Sequence, residues 1–228
     1  MLVLQDTTGC PAFCALAILQ INNGGAAMFR KSRSETCYVK ASSMHASAEI
    51  GNALEYYISH IDFCWNDLIF LCIGSDRITG DCLGPLIGNQ LTRANVHPYT
   101  VYGTLDDPVH ALNLADVVND IQYTHPQSLI LAIDASLGST THQGCICVGE
   151  GAILPGAGVS KNLPAVGNLF ITGIVNQTGI SPHLLLSSTR LSDVMRMADS
   201  ISSGILDSCY IKQLAKKRIP SITGKCYC

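Results

Sequence analysis

The chain has few charged residues, and their balance excludes several classes of partner. Only 14% of its 228 residues are charged, and 14 lysines and arginines against 17 acidic residues leave a formal net charge of −3. Proteins that bind nucleic acid or an anionic membrane electrostatically carry a basic excess, which this chain lacks. We therefore expect no nucleic-acid partner and no membrane partner, so that a small molecule, a peptide or a protein remains as the ligand.

The sequence also lacks a membrane-length apolar run near its amino terminus. Residues 10–21 are apolar, but a membrane span needs roughly 20 residues. A signal peptide begins with basic residues, whereas Asp6 precedes this stretch. Two other interpretations stay open: an N-terminal extension with little organised structure, or an early start codon with Met28 as the natural one.

No linker divides the chain, and 47% of its residues are apolar, which supplies one large core. We predict a poorly organised extension over residues 1–44, one domain over residues 45–206, and a basic, solvated tail over residues 207–228.

Cysteine is abundant, but the eleven cysteines do not predict a disulfide scaffold. They are odd in number and scattered, and a chain of this length does not need disulfides to stabilise its core. Cys72 and Cys82 lie in or beside an apolar run, which favours reduced thiols in a cytosolic protein. Cys145 and Cys147 are not spaced like zinc ligands, and in a strand they would face the same side.

Two apolar runs that end near carboxylates organise the rest of the chain. Residues 68–73 read Leu-Ile-Phe-Leu-Cys-Ile, which predicts a strand buried on both faces, and a glycine-rich turn with Asp76 and Asp81 follows. A second run over residues 129–133 ends at Asp134. Ligands of open α/β sheets bind outside the carboxyl ends of the strands, so these runs predict a carboxylate pair at one edge.

The remaining patterns alternate helices with strands. Helical spacing of apolar residues predicts helices over 45–61, from Gly84 and Pro85 onward, from an Asp107 N-cap with Pro108 as first helical residue, and along 181–205. Further strands are expected within 96–103, 144–149 and 169–175. This order predicts an α/β fold, a three-layer α/β/α sandwich around a mostly parallel mixed sheet.

The carboxylate pair is the strongest candidate for chemistry. If Asp81 and Asp134 lie close together, they could share one proton and activate water, with one pKa raised. The alternative is that each caps the helix that follows it. No Gly-x-Ser-x-Gly elbow occurs, and Cys82 has no histidine partner visible in the sequence.

Five further residues are candidates for lining this site, each beside a plainer interpretation. Asp76 and Arg77 could line the site or form an ion pair within the turn, and Lys161 could close over a substrate carboxylate or remain on the surface. Asn176 could bind substrate or cap a strand end, and Arg190 could face the site from mid-helix or extend into solvent. We assign His110 to the core or surface.

Six ordered blocks give the chain a family resemblance. They are Gly74 to Pro85, Val101 to Leu114, Ala132 to Gly138, Pro155 to Pro164, Ile171 to Asn176 and Ser188 to Met195. Together they resemble the sporulation protein YyaC family, often labelled spore protease, from about residue 48 to residue 204.

That family is similar to the germination protease of spores and to the maturation endopeptidases of nickel hydrogenases. The resemblance implies a phosphorylase/hydrolase-like fold. It also places the two essential aspartates of the germination protease on Asp81 and Asp134. The hydrogenase endopeptidases bind nickel at the same two positions with a histidine as third ligand, and here only His183 comes near that position in sequence.

The resulting hypothesis is a sporulation-associated peptidase with Asp81 and Asp134 as catalytic residues. The alternative is a catalytically inactive relative that binds a peptide or partner protein. No cofactor is expected, and the two aspartates are the candidates if a nickel or zinc ion is held. We expect a peptide or small spore protein as substrate and the cytoplasm of the sporulating cell or forespore as location, and a homo-oligomer stays open.

Overall fold

The computed structural model describes residues 36–94, 99–155 and 163–208, together with the backbone of three two-residue strands. The described strands are β1 (Leu2–Val3), β2 (Ala17–Ile18), β3 (Arg30–Lys31), β4 (Cys37–Lys40), β5 (Asp67–Cys72), β6 (Tyr99–Tyr102), β7 (Ser128–Gly138), β8 (Cys145–Glu150) and β9 (Leu169–Gln177). The described helices are α1 (Ala46–Ser59), α2 (Leu83–Ala94), α3 (Leu114–Thr124), α4 (Pro182–Ser187) and α5 (Leu191–Asp207), with a 3₁₀ turn at Thr79–Asp81.

The main sheet has the strand order β4-β8-β9-β7-β5-β6, and β1 pairs with β7. The pairs β5–β6, β5–β7, β7–β9 and β1–β7 are parallel, whereas β8 runs antiparallel to both β4 and β9. The predicted mostly parallel mixed sheet is therefore confirmed. Because β4 belongs to it, the sheet begins before residue 45, where the sequence placed the domain boundary.

Two apolar clusters lie on opposite faces of the sheet. Phe70 belongs to the cluster that includes side chains of α1, α2 and α5, and its neighbour Leu71 belongs to the cluster that contains Leu114 and Ile121 of α3. Successive side chains of a strand point to opposite faces, so the continuous apolar runs are explained by burial on both sides. Each such side chain contributes roughly 1.5–3 kcal/mol. Helices on both faces give the predicted three layers.

The helix expected from Asp107 begins later, and that prediction is wrong. Its N-cap is Asn113, and Val109 is extended, forming a bridge with Ile73 and accepting a hydrogen bond from the Gly74 N–H (2.8 Å). The Asn113 side chain accepts from the His110 N–H (2.8 Å) and donates to the Pro108 carbonyl (3.1 Å). These bonds hold the segment as a loop against the end of β5.

The long helix expected over residues 181–205 is divided into α4 and α5. Arg190 is the N-cap residue of α5, with extended dihedral angles, so its predicted position in mid-helix is wrong. The Thr189 hydroxyl donates to the Leu185 carbonyl (2.9 Å), and the side chain of Asn176 donates to the same carbonyl (2.9 Å). Side chains thus satisfy the end of α4 and allow the chain to turn.

Strand β7 also differs from its prediction, because it continues for five residues beyond Ile133. On one side, pairing with β5 ends at Cys72 opposite Ile133, while on the other side pairing with β9 continues to Gly138. Asp134 therefore lies within a strand, at the point where its neighbour β5 has ended. A role in capping a helix is excluded for it.

The six cysteines within the described ranges carry thiols and form no disulfide. Cys145 and Cys147 pack in the same apolar cluster, as predicted for alternate positions of one strand. Over the same ranges, no helix is both long enough and apolar enough to cross a membrane.

The turn between β5 and α2 is closed against its own backbone. Gly74 has φ +142°, the Ser75 N–H donates to the Asp81 carbonyl (3.1 Å), and a Cβ on Gly74 would overlap that carbonyl. A Cβ on Gly84 would overlap the Ile73 carbonyl in the same way. The absence of these two side chains is what allows Asp81 to fold back over the end of β5.

We expect Gly74→Ala to lower the free energy of unfolding by at least about 2 kcal/mol more than Gly144→Ala does. Gly144 also has a positive φ (+83°), but nothing lies within 4 Å of an added Cβ there, so only the strained conformation counts, at about 1 kcal/mol. Urea unfolding of both variants measures the difference. Equal losses would show that the turn yields to accommodate the methyl group.

Candidate functional site

Asp81 is held beyond the carboxyl end of β5 by the turn just described. It is the last residue of the 3₁₀ turn, its N–H donates to the Ile78 carbonyl (2.9 Å), and its side chain is half-buried. Burial raises the pKa of the Asp81 carboxyl, while the field of His110 acts in the opposite direction. Asp81 is thus a partly desolvated carboxylate next to an imidazole.

Asp134 is carried by β7 into the interior and is 1% exposed. Leu131, Ile133 and Ala135 belong to the cluster packed by α1, α2 and α5, whereas Ala132 belongs to the opposite one, so Asp134 faces the α3 side. One of its carboxylate oxygens accepts a hydrogen bond from the Ala135 N–H (2.8 Å). A carboxylate buried among apolar side chains costs several kcal/mol unless it is bonded or protonated.

The two aspartates interact electrostatically. Burial raises the pKa of Asp134 to about 6, and the negative charge of Asp81 acts in the same direction. The structure thus brings together two carboxylates that are 53 positions apart in the chain. At mildly acidic pH the pair can hold one proton between an acid and a base, which is the arrangement that general acid–base chemistry needs.

His110 is a site residue that the sequence reasoning assigned to the core or surface. It follows Val109 in the loop bound to the end of β5, and its Nδ1 accepts a hydrogen bond from the Leu112 N–H (3.3 Å). With Nδ1 used in this way, the neutral ring carries its proton on Nε2. Because the helix was predicted to start too early, this residue was placed within it. The run Asn113-Leu114-Ala115-Asp116 could have indicated the later helix start, which leaves His110 in the loop.

Two hydroxyls on the face of Asp134 were also missed. Thr172 of β9 is paired with Asp134 in register, is 1% exposed, and its hydroxyl has no hydrogen-bond partner in the described part of the chain. Ser136 lies two residues beyond Asp134, and its hydroxyl is 3.5 Å from the Gly173 carbonyl. Both sit in apolar runs, where alternation alone does not distinguish a site residue from a core residue.

Of the other candidates, Asp76 and Arg77 are exposed on the turn, and neither forms an ion pair within the described ranges. Asp76 still acts on its surroundings, because its charge is one of the causes that raise the pKa of the Cys82 thiol, after burial and the nearer Asp81. Cys82 donates its thiol hydrogen to the Thr79 carbonyl (2.9 Å). A raised thiol pKa argues against a nucleophilic cysteine.

Asn176, Arg190 and Lys161 lie apart from the aspartate pair or outside the described residues. The Asn176 side chain joins the end of β9 to the α4–α5 connection through Leu185 and Thr189, and its expected role in substrate binding stays a prediction. Arg190 is exposed at the start of α5. Lys161 falls outside the described residues, so its expected role stays a prediction.

A nickel or zinc ion held by the two aspartates would need further ligands. In the parts of the chain that the structure describes, no three His, Cys, Asp or Glu side chains form a group that could hold a metal. His183, the histidine nearest in sequence to the position of a third ligand, is exposed on α4. Two carboxylates alone are fewer ligands than a catalytic zinc site uses.

A cavity of about 460 Å³ lies elsewhere on the same edge of the sheet. It is bounded by the β7–β8 turn, the end of β9 and the first turns of α5, and its lining includes Lys40, Asp193 and Arg196. Neither aspartate of the pair lines it. The cavity is therefore a separate feature of this edge.

The mixed, mostly parallel sheet and its helices place the protein in the α/β class, and two carboxylates lie close to each other beyond the end of β5. Within that class, the chain belongs to the family described as "Protein of unknown function (DUF1256)", whose model matches residues 38–204. It is similar to "Uncharacterized protein YyaC" of Bacillus subtilis (strain 168), with 46% identity over 138 residues, 60% of this chain and 67% of that relative. The resemblance to the YyaC family predicted from the six sequence blocks is confirmed.

We expect Asp134→Asn to remove a pH dependence of stability. Because the pKa of Asp134 is raised from 3.8 to about 6, the folded protein binds a proton that the unfolded chain has already released. Wild-type stability should therefore fall as pH rises from about 4 to about 6, by up to about 3 kcal/mol, and Asp134→Asn should not show this fall. Urea unfolding across this pH range measures it.

The matched control for that measurement is Asp193→Asn, which changes an exposed carboxylate on α5. It should retain the wild-type pH slope. Identical slopes for wild type and Asp134→Asn would show that Asp134 titrates normally and that the proposed desolvation is wrong.

We expect His110→Gln to raise the pKa of Asp81, because the variant removes the positive charge that a protonated imidazole places near the carboxylate. Carbon-13 NMR titration of the aspartate carboxyl groups measures the shift. His125→Gln is the control, since His125 pairs with Asp67 at the opposite end of β5 (3.4 Å) and should leave the Asp81 pKa unchanged. An Asp81 pKa that is the same in wild type and His110→Gln would show that the two residues do not interact electrostatically.

Proposed function

We propose that this protein is a peptidase in which Asp81 and Asp134 act as a carboxylate pair that activates water. The observation that carries the proposal is the coupling of the two side chains: Asp134 is fully buried with its pKa raised to about 6, and Asp81 contributes to that rise. Pairs of titratable groups whose environments separate their pKa values mark the acid and the base of an active site.

The surroundings suggest which residue takes which role. Burial raises the pKa of Asp81, but the field of His110 opposes this rise and favours the ionised form, which suits a general base. Asp134 is the more deeply buried of the two, and burial raises its pKa to about 6, so it suits the protonated partner. The β-strand on which it lies also fixes its position better than a loop would.

In this mechanism Asp81 accepts a proton from water as the water oxygen attacks the carbonyl carbon of the peptide bond. Protonated Asp134 donates a hydrogen bond to the carbonyl oxygen and stabilises the developing negative charge. The C–N bond of the tetrahedral intermediate then breaks as the amine nitrogen takes a proton from the pair. Both carboxyl groups return to sharing one proton, and no metal takes part in any of these steps.

A peptide is a better match for the site than a small polar substrate. Leu112, Ile180 and Leu184 are large apolar side chains that remain mostly exposed, at 74%, 106% and 66%. They lie in the segments that follow β6 and β9, at the same edge of the sheet as the aspartates. Exposed apolar side chains at this edge are available to contact an apolar segment of a peptide.

The resemblance to the YyaC family supports a role in sporulation for this peptidase. On that basis a small acid-soluble spore protein is the natural substrate to test, and the cytoplasm of the sporulating cell or forespore is the expected location. A protein substrate also agrees with the exposed apolar side chains of Leu112, Ile180 and Leu184.

We expect wild-type protein to cleave a small acid-soluble spore protein, and Asp81→Asn and Asp134→Asn each to lose at least about 100-fold in rate, as for removal of a general acid or base. The rate of the wild type should fall as pH rises above about 6, because Asp134 then loses its proton. Gel electrophoresis and mass spectrometry of the products measure rate and cleavage position.

Asp76→Asn is the matched control, since Asp76 is an exposed carboxylate on the same turn, and it should retain most of the activity. If wild type and all three variants bind the spore protein but none cleaves it, the peptidase proposal is wrong and the inactive, partner-binding relative takes its place.

A further inference from the structure

The carboxyl half of β7 has an edge that β5 does not cover. Pairing with β5 ends at Ile133, whose carbonyl accepts the Ile73 N–H (2.7 Å), but β7 continues to Gly138. Ala135 and Leu137 are 1% and 0% exposed. Buried main-chain groups need hydrogen-bond partners, so this edge requires something to pair with it.

Beyond Ile133, four main-chain groups of that edge face the side of β5. Alternate residues of a strand present their N–H and C=O to the same side, so the main-chain groups of Ala135 and Leu137 point toward β5, as those of Ile133 do. The Ala135 N–H is already used by the carboxylate of Asp134 (2.8 Å). The Ala135 carbonyl and both groups of Leu137 remain for a strand.

A short parallel strand of this chain lies on that edge. Leu2 of β1 is paired with Ser136, and Val3 with Leu137. In parallel pairing, the residue opposite Ser136 directs its N–H and C=O toward Ala135 and Leu137, so the backbone of Leu2 makes these contacts and the N–H of Val3 points away. The pairing of β7 with β9 shifts register at the same place, between Ser136 and Leu137. Such bulges occur next to active sites.

We propose that this edge, over Ala135–Leu137, is a binding site for an extended peptide, which adds to the sheet as a parallel strand in place of β1. β-strand addition uses main-chain hydrogen bonds for affinity and alternate side chains for specificity. Leu137 belongs to the apolar cluster on one face of the sheet, and Ile174 of β9, which is paired with Ser136, belongs to the cluster on the other face, so the ligand is a peptide with consecutive apolar residues.

This inference rests on the proposed function, in which the carboxylate pair acts on a peptide. In the register of β1, the residue before the one paired with Ser136 lies opposite Ala135, so the amino end of the peptide comes next to Asp134. Its backbone would then be presented to the carboxylate pair in extended form. Residues 2–3 would compete with it for the same main-chain groups and lower its apparent affinity.

The test uses the full chain and a fluorescent peptide with the sequence of residues 1–6, Met-Leu-Val-Leu-Gln-Asp. Leu2→Pro removes the N–H that pairs with the edge, and we expect this variant to bind the peptide at least about tenfold more tightly than wild type, because a tethered competitor acts at millimolar effective concentration. Ile18→Pro is the matched control, since β2 pairs with β3 and not with β7. It should bind the peptide as wild type does.

Peptide backbone methylation makes the test specific for the edge. N-methylation of the second peptide residue should weaken binding to Leu2→Pro at least about tenfold, as loss of a buried hydrogen bond does, whereas N-methylation of the third should not. Hydrogen exchange at the Leu137 amide should slow when the unmodified peptide binds. Absence of binding, or equal effects of the two methyl groups, would overturn the proposal.

Fluorescence anisotropy reports occupancy and not cleavage, so the two proposals fail separately. Peptide binding at this edge together with no cleavage of the spore protein refutes the peptidase alone. Cleavage of a spore protein that is unaffected by Leu2→Pro, together with no peptide binding, refutes the edge alone.

Discussion

The rest of the structure depends on one buried charge site at the end of β5. Strand β7 is long enough to carry Asp134 past its neighbour, and burial on both faces of the sheet leaves that carboxyl 1% exposed. An ionised carboxylate in such a place is unfavourable, so burial favours the protonated form of Asp134. The second carboxylate, Asp81, adds to this constraint, because two nearby negative charges favour a shared proton.

The elements around the pair serve to position it. The turn from β5 to α2 folds back on its own backbone and places Asp81, and the loop bound to the end of β5 through Val109 places His110. Thr172 comes from β9 on the other side of β7. Three neighbouring strands and one loop thus contribute to a single edge of the sheet, which is where parallel α/β sheets place their ligand sites.

Periodicity was sufficient for most of the fold. Apolar runs located β5, β7, β8 and β9, and helical spacing located α1, α2 and α5, because burial follows directly from these patterns. It was not sufficient where side-chain hydrogen bonds decide the local structure. Asn113 holds residues 108–113 as a loop, and Asn176 and Thr189 end α4. The pairing of Asp81 with Asp134 was predicted from two strand ends, whereas the position of His110 depended on the loop that the sequence pattern presented as helix.

The glycines between β5 and α2 restrict how this site can change. Gly74, Gly80 and Gly84 each abut the backbone of another segment: Asp81, Leu186 and Ile73 respectively. With no free volume at three points, the loop has little tolerance for insertion or for larger residues. Substitutions that alter recognition are therefore expected outside this turn, where they leave the position of Asp81 unchanged.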